Sequence, residues 1–528
     1  MIPYLYNLGL RLENVAAGFP EKTALWFSSN LKISYHQLNS AANRIARSLL
    51  THDIGQNRIV CISGTKVPVI YSALIACLKI GAGYVILDPD SPSERLSKII
   101  DRCQPQLILT EPLLAGKLNA IRPEIAEISI DMKVLEQAAS SLDNSNLSST
   151  LSVTGTQISY IMFTSGSTGF PKGAVMTHAN VLNLIDWARV TYAITPEDVC
   201  TNLNPLYFDN SVFDIYSSLF NGATLAVFSK DETRDPGKIV AKIADAQCSQ
   251  WFSVPSLLIF MQTMKATDGK HLRSIKRFIF GGEGYPKAKL KQLFDAYKDT
   301  ASLHNVYGPT ECTCICSSYR LSEPDFANIA GLPPLGAIAP NFSYLILDEN
   351  NTPVRDDCIG ELCLAGPNVG RGYYNDPEQT ARAFVQNPVN TLFPETIYRT
   401  GDMARFNPAD GKLYIHGRKD NQIKHMGYRI ELEEIDAGMH CLPYVNEAVA
   451  LHTQVDGLSR IIAVVALRGT VNDETFCSDL QKILPDYMIP QSIHRMKMLP
   501  KNANGKVDRK TLSERAVAGA LAKEDSDE

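Results

Sequence analysis

Apolar residues recur at helical spacing from Tyr35 to Leu50 and again from Val69 to Leu78, where the run stops near Gly81. Between and after them stand short continuous apolar runs, Ile59-Val60-Cys61-Ile62, Tyr84-Val85-Ile86-Leu87 and Leu107-Ile108-Leu109. Runs of that length, rich in β-branched side chains and closed by a turn such as Asp88-Pro89, have the pattern of strands buried on both faces. With a further helical stretch over Ser93 to Ile100, the alternation predicts an α/β domain with largely parallel sheets. Ser140 to Thr156, crowded with Ser, Asn and Thr, predicts a surface loop or linker, and no repeat of solenoid period is present.

The rhythm changes between Arg399 and Asp420 to short strands with Gly and Asp turns. A compact unit of mixed helix and strand follows, including Ile461 to Leu467 and the helix-like Asp473 to Leu484. This places a domain boundary near Asp420, with a large unit over 1–420 and a small one over 421–528. The acidic end, Lys523 to Glu528, reads as a frayed tail.

Composition narrows the function less than the pattern does. The 528 residues correspond to roughly three to four domain-sized units. A content of 45% hydrophobic and 20% charged residues excludes a disordered chain. Lys and Arg number 51 against 56 Asp and Glu, a net charge of −5, so no global charge draws the chain to nucleic acid. Met1 to Tyr6 lacks the basic and apolar regions of a secretory signal, and no apolar run approaches the ~20 residues of a membrane span. The expectation is a cytoplasmic protein with neither a membrane nor a nucleic-acid partner. The twelve Cys, without a Cys-x-x-Cys unit, fit a reduced compartment. On a strand Cys312, Cys314 and Cys316 would share one face, where small apolar wall residues are the expected role.

Candidate chemistry begins after the apolar strand Ile158 to Phe163, in Thr164-Ser165-Gly166-Ser167-Thr168-Gly169-Phe170-Pro171-Lys172-Gly173. Gly lets backbone N–H groups turn toward an anion, the hydroxyls add donors, and Lys172 adds charge, which together suit a polyphosphate. The spacing is not that of a Walker A loop, because Gly173 stands where a Mg-binding Ser or Thr would follow the Lys. A Ser/Gly-rich loop by itself is as readily a flexible turn. Downstream, in order, come Phe208-Asp209-Asn210-Ser211-Val212-Phe213-Asp214, Asn305-Val306-Tyr307-Gly308-Pro309-Thr310-Glu311, Gly360-Glu361-Leu362-Cys363-Leu364-Ala365-Gly366, Tyr398-Arg399-Thr400-Gly401-Asp402, Gly417-Arg418-Lys419-Asp420 and Asn504-Gly505-Lys506-Val507-Asp508-Arg509.

With these motifs in this order, from about Ser34 to Arg509, the sequence resembles the adenylate-forming superfamily. Within it the chain is most similar to amino-acid adenylation domains of nonribosomal peptide synthetases and to D-alanine–carrier protein ligases. The resemblance implies a large N-terminal domain of α/β sheets with a barrel-like subdomain and a small mobile α+β C-terminal domain. It also implies two half-reactions, an attack by a carboxylate on ATP to give an acyl-adenylate, then transfer of the acyl group to a thiol.

The resemblance assigns Thr164, Ser165, Gly166, Ser167, Thr168, Gly169, Lys172 and Thr310 to the ATP phosphates. Glu311 takes Mg²⁺, as a hard oxygen ligand can. Gly281, Gly282 and Glu283 let the backbone approach the base, Tyr307 lies along the adenine and Asp402 accepts the ribose hydroxyls, while Asn305, Gly308 and Arg418 are implied as further ATP-binding residues. Lys506 is the implied catalytic residue, a point charge for the oxygens on which negative charge shifts in the transition state. Asp420 is the implied hinge, and Gly427 belongs to the loop that faces the large domain in the thioester step. His178 tempts a general-base reading, but its place at a helix start predicts a surface or capping side chain. His416 and His425 have no acid partner in sequence, so structural roles are expected for both.

Asp209 carries the substrate class. In relatives that activate α-amino acids an aspartate here pairs with the substrate ammonium, whereas fatty-acid and aryl-acid ligases generally lack it. The carried-over pocket is completed by Asn210, Phe213, Ser253, Ile279, Gly281, Val306, Cys314 and Ile315. None is charged, so an amino acid with an uncharged side chain is expected, since a charged one would be desolvated without a partner. Phe213 is expected to limit depth. No Gly-Gly-x-Ser attachment segment follows Arg509, so a free-standing enzyme serving a separate phosphopantetheine-bearing carrier protein is expected. The competing readings are an acyl- or aryl-CoA ligase, which predicts free CoA as acceptor, and a decayed nucleotide binder, which the intact Lys172, Glu311, Asp402, Arg418 and Lys506 oppose.

Overall fold

Local signals explain where the elements start and stop. Ser34 caps the helix Tyr35–Thr51 in a reciprocal pair with Gln37. Pro68 opens the helix Pro68–Ile80, and Gly81, at φ 72°, closes it in the left-handed conformation that a residue without Cβ adopts freely. Val69 through Ile80 are all buried, and Lys79 among them is paired with Glu13. A helix apolar all round is a core helix, and this one packs among sheet and helices in the largest apolar cluster.

In the computed structural model, residues 4–121, 124, 128–166, 170–268, 270–340, 342–455, 458–501, 507–517 and 521 are described. By contact they divide into two compact units. The first runs to Pro89, then over Arg102–Phe163 and Gly173–Lys419; the second comprises Asp90–Asp101, Thr164–Lys172 and the chain from Asp420 onward.

The first unit is α/β. One sheet has six strands in the order Ser129–Asp131, Leu107–Thr110, Ile59–Ser63, Gly83–Leu87, Ile158–Thr164 and Lys172–Thr177, with parallel pairing through its centre. A nine-stranded sheet places Arg277–Gly281 between Gln250–Ser253 and Ser302–Tyr307 in parallel register, with antiparallel strands at its two margins. The parallel strands expected from the apolar runs at Ile59, Tyr84 and Leu107 are therefore present, each fully buried. A five-stranded antiparallel sheet follows, in which the long strand Thr396–Asn407 pairs with Gly360–Ala365, Phe384–Gln386 and Lys412–Arg418. It stands where a barrel-like subdomain is expected.

From Asp420 the second unit is α+β. The hairpin Gln422–His425/Tyr428–Glu431 precedes the helix Leu432–His440, and a three-stranded sheet joins Val445–Val455, Leu458–Leu467 and Ser492–Arg495. Two apolar clusters of its own, one around Ile435, Ala463 and Phe476 and one around Leu451, Val464 and Leu512, give it a separate core. Among the described residues no helix is long and apolar enough to cross a membrane.

Two local expectations need correction. His178 is fully buried rather than at the surface: Thr177 caps the helix His178–Thr191, and His178 Nδ1 accepts the backbone N–H of Leu8 at 3.1 Å. Cys312, Cys314 and Cys316 do not share a strand face, because a short 3₁₀ turn over Thr310–Cys312 is followed by left-handed Thr313 and Cys314, at φ 61° and 72°. All three remain buried wall residues. Within Ser140 to Thr156, Ser148–Ser152 forms a 3₁₀ turn.

Candidate active site

Several of the expected nucleotide and acyl residues of the first unit lie at the ends of neighbouring strands of the nine-stranded sheet. Ser253 ends one strand, Gly281 the next and Tyr307 the third, while Val306 stands opposite Gly281 in register. Strand ends opening on one edge are where open α/β sheets place ligands. Close approach explains two glycines there. A Cβ on Gly281 would lie 2.4 Å from the Val306 carbonyl oxygen, and one on Gly308 2.2 Å from that of Cys314. Ile279 and Ile315 are buried beside them.

Asp402 is not on a surface turn but inside the strand Thr396–Asn407, 6% exposed. Its carboxylate accepts the Tyr307 hydroxyl at 2.6 Å and the Arg418 guanidinium at 2.6 Å, the latter charge-assisted. Burial, reinforced by the Asp402 charge, pushes the Tyr307 phenol well above its ordinary value, so it remains a donor. Glu283 turns its carboxylate to the backbone N–H of Ser256 at 2.7 Å, capping the helix Pro255–Thr263, and Asn305 donates to the Pro334 carbonyl at 2.9 Å. Gly282 has a φ of 92°.

Asp209 occupies the N-cap position of the helix Asn210–Leu219, yet its side chain makes no capping bond. Its carboxylate instead accepts the Thr310 hydroxyl at 2.6 Å. Asn210 turns toward Cys314, whose sulfur lies 4.0 Å from Oδ1, and Phe213 packs edge-on against Phe252 with ring centroids 4.7 Å apart. The Ser253 hydroxyl is occupied, accepting from the Trp251 indole and donating to the Val254 carbonyl.

Glu311 is fully buried and accepts the Tyr373 hydroxyl at 2.7 Å. Tyr373 is a site residue that sequence reasoning missed; 62 positions away and outside every motif, it leaves no local signal. Among the described residues no three His, Cys, Asp or Glu converge as a metal cage. A single buried carboxylate fits Mg²⁺, which keeps waters and takes substrate phosphates as ligands.

In the second unit Thr164 ends its strand with a buried hydroxyl oxygen lacking a hydrogen-bond partner, an arrangement an anionic oxygen would relieve. Ser165 donates to the Arg429 carbonyl at 2.6 Å and accepts the Glu431 N–H at 3.2 Å, and Lys172 pairs with Glu431 at 3.2 Å. Glu431 is the second residue that sequence reasoning missed. Gly166 has no room for a Cβ, which would lie 1.9 Å from the Phe170 carbonyl oxygen. Asp420 Oδ1 accepts the N–H of Gln422, and Met426 and Gly427, at φ 52° and 83°, form the left-handed pair that tight hairpins require. His425 is buried against Ser459 at 2.7 Å, a structural placement, and exposed His416 accepts from Arg405. Ser167, Thr168, Gly169 and Lys506 lie outside the described residues.

Residues 12–374 match the family model of the AMP-binding enzymes. Over 513 residues the chain is 33% identical to the dimodular nonribosomal peptide synthase of Bacillus subtilis, covering 96% of this chain and 21% of that protein. It thus spans about a fifth of the length of that curated relative. Among solved structures, NpsA-ThdA, an artificially fused adenylation–PCP di-domain from Klebsiella oxytoca, has a TM-score of 0.81 at 20% identity, covering 99% of this chain and 98% of that one. The o-succinylbenzoate CoA synthetase MenE of Bacillus subtilis, as a double mutant, has a TM-score of 0.83 at 19% identity, covering 97% and 99%. At these identities the two structures share the fold with this chain.

Proposed function

Because this chain belongs to the AMP-binding enzyme family, with a nonribosomal peptide synthase among its relatives, we propose that it activates an α-amino acid with an uncharged side chain as the aminoacyl-adenylate. The acyl group then passes to the phosphopantetheine thiol of a carrier protein. The observation that carries this reading is Asp209: at an N-cap position its side chain makes no capping bond and is oriented by the Thr310 hydroxyl, and a carboxylate is the group that pairs with an ammonium.

In the first half-reaction a substrate carboxylate oxygen bonds to the α-phosphorus of ATP, the bond to the β-phosphate breaks, and pyrophosphate leaves. Asp402, oriented by Tyr307 and Arg418, accepts the ribose hydroxyls. Tyr307 lies along the adenine, and Thr164, Thr310, Lys172 and the loop between Ser165 and Gly169 hold phosphate oxygens. Glu311, steadied by Tyr373, would hold Mg²⁺, which supplies charge neutralisation at the phosphates when bound. Lys506 stabilises the reacting oxygens. In the second half-reaction the thiol sulfur bonds to the acyl carbon, AMP leaves and the thiol proton is released. We assign 1–420 to the adenylation core and 421–528 to a domain that reorients about Asp420, bringing the Gly427 hairpin into play for thioester formation.

Asp209→Asn tests the reading. Capping would cost only ~0.5–2 kcal/mol and be met almost as well by Asn. An unpaired substrate cation costs several kcal/mol. In ATP–pyrophosphate exchange with a panel of amino acids, the substitution is expected to abolish most activity with the best amino acid and change little with its des-amino analogue. A wild type that prefers the des-amino acid and passes it to free CoA would instead establish a CoA ligase, the activity named for the MenE neighbour.

A further inference from the structure

On the helix Asn210–Leu219 Asp214 anchors a polar cluster that the reaction above does not use. Asp214, 2% exposed, accepts the side-chain amides of Asn202 at 2.9 Å and Asn204 at 3.1 Å. Asn202 in turn accepts the Tyr71 hydroxyl at 2.7 Å on its side chain and the Lys66 ammonium at 2.6 Å on its carbonyl. The Asn204 amide also reaches the carbonyl of Phe252 at 3.3 Å. The second carboxylate oxygen of Asp214 is buried without a partner.

Such a cluster is poorly explained by stability. Well-packed apolar residues of similar volume hold a core as firmly as buried polar and charged groups, or more firmly, because such groups must be stripped of water. That penalty is visible in both groups: burial pushes the Asp214 carboxyl up and the Lys66 ammonium down, and each is restrained by the charge of the other.

The placement of the cluster gives it another use. Asp214 stands four residues after Asn210, so the two share one face of the helix, and Phe213 is its neighbour. Phe252 directly precedes Ser253 on the facing strand. The path Asp214–Asn204–Phe252 therefore joins the two walls of the acyl pocket, one carrying Asp209, Asn210 and Phe213 and the other Ser253. We propose that Asp214 is a positioning residue for the acyl pocket, which by gripping Asn202 and Asn204 fixes the rotation of the helix Asn210–Leu219 and hence the place of Asp209, with Lys66 as its countercharge. The proposal rests on Asp209 receiving the substrate ammonium.

Both amides land on one oxygen of Asp214, which an Asn could still supply, so the informative change is Asp214→Leu, which keeps the branched shape and removes the acceptor. Lys66→Met removes the countercharge and leaves both carboxylate contacts in place. In pyrophosphate exchange, KM for the best amino acid is expected to rise about tenfold or more in Asp214→Leu and a few-fold in Lys66→Met, while KM for ATP stays within about twofold. The preference for the amino acid over its des-amino analogue should fall in step, because a displaced Asp209 loses the ammonium and not the rest of the substrate. A structural role would lower the melting temperature without that split. An active wild type whose folded variants keep their amino-acid KM, or raise both KM values together, overturns the inference alone; where Asp214→Leu does not fold, Lys66→Met decides. A wild type inert toward every amino acid overturns the functional reading and this inference with it.

Discussion

The Thr310 hydroxyl that holds Asp209 and the Tyr307 hydroxyl that holds Asp402 are neutral donors spent on carboxylates before any ligand arrives. Pre-orientation of this kind lets an acceptor meet its ligand without reorganising. The carboxylates themselves were legible as residues, because the motifs around them are local. Their partners were not: Tyr307 is 95 positions from Asp402 and Thr310 is 101 from Asp209, so their pairing exists only once strand ends are brought together. His178 shows the same limit, since the N–H it accepts belongs to Leu8, 170 positions away. Lys506, assigned to the first half-reaction, gives a clean prediction. Lys506→Ala should remove most pyrophosphate exchange while preformed aminoacyl-adenylate still loads a carrier thiol in a single-turnover assay. Equal loss of both steps would contradict that division of labour.

At the scale of elements, caps and breakers decide more than propensity. Gly81 is legible as a helix end because it acts locally, and Ser34 and Pro68 act in the same local way at two helix starts. The segment after Tyr307 was misread, since its alternating Cys pattern suits a strand while Thr313 and Cys314 turn left-handed against the backbone of Gly308. Two glycines should therefore respond to alanine with opposite sign in urea denaturation. Gly308→Ala forces a Cβ to 2.2 Å from the Cys314 carbonyl and should destabilise by about 1–3 kcal/mol or more. Gly116→Ala, inside the helix Pro112–Ile121 with nothing within 4 Å, should stabilise by about 0.5–1 kcal/mol. Equal midpoints for the two would show that the close approach is not felt.

For the whole molecule, acid sensitivity follows from imidazoles kept neutral by burial. Burial holds His178 down to about 3 and His425 to about 4 from an ordinary 6.5, and His304 falls to about 4 through burial and then the charges of Arg320 and Arg277. Above pH 6.5 neither the folded nor the unfolded chain protonates them, and their contribution to stability is complete. Below it the unfolded chain takes up protons that the folded chain refuses, so stability is lost progressively as pH falls toward 4 and then 3. Urea midpoints should drop between pH 7 and pH 4.5; a flat profile would contradict it. The proposed hinge gives a second test. Asp420→Pro fixes φ at the start of the second unit, and should slow thioester formation more than pyrophosphate exchange. Unchanged kinetics in both steps would move the hinge elsewhere.

An enzyme that manufactures an acylating agent must not offer it a nucleophile of its own. Cys314, beside Asn210, is a cysteine of the proposed pocket wall. Burial first, then the neighbouring Asp209 carboxylate, pushes its thiol well above the ordinary value. The reactive species is the thiolate, so at neutral pH this sulfur stays protonated and mute. The carboxylate proposed to receive the substrate would thus also help to keep the wall from capturing the activated product.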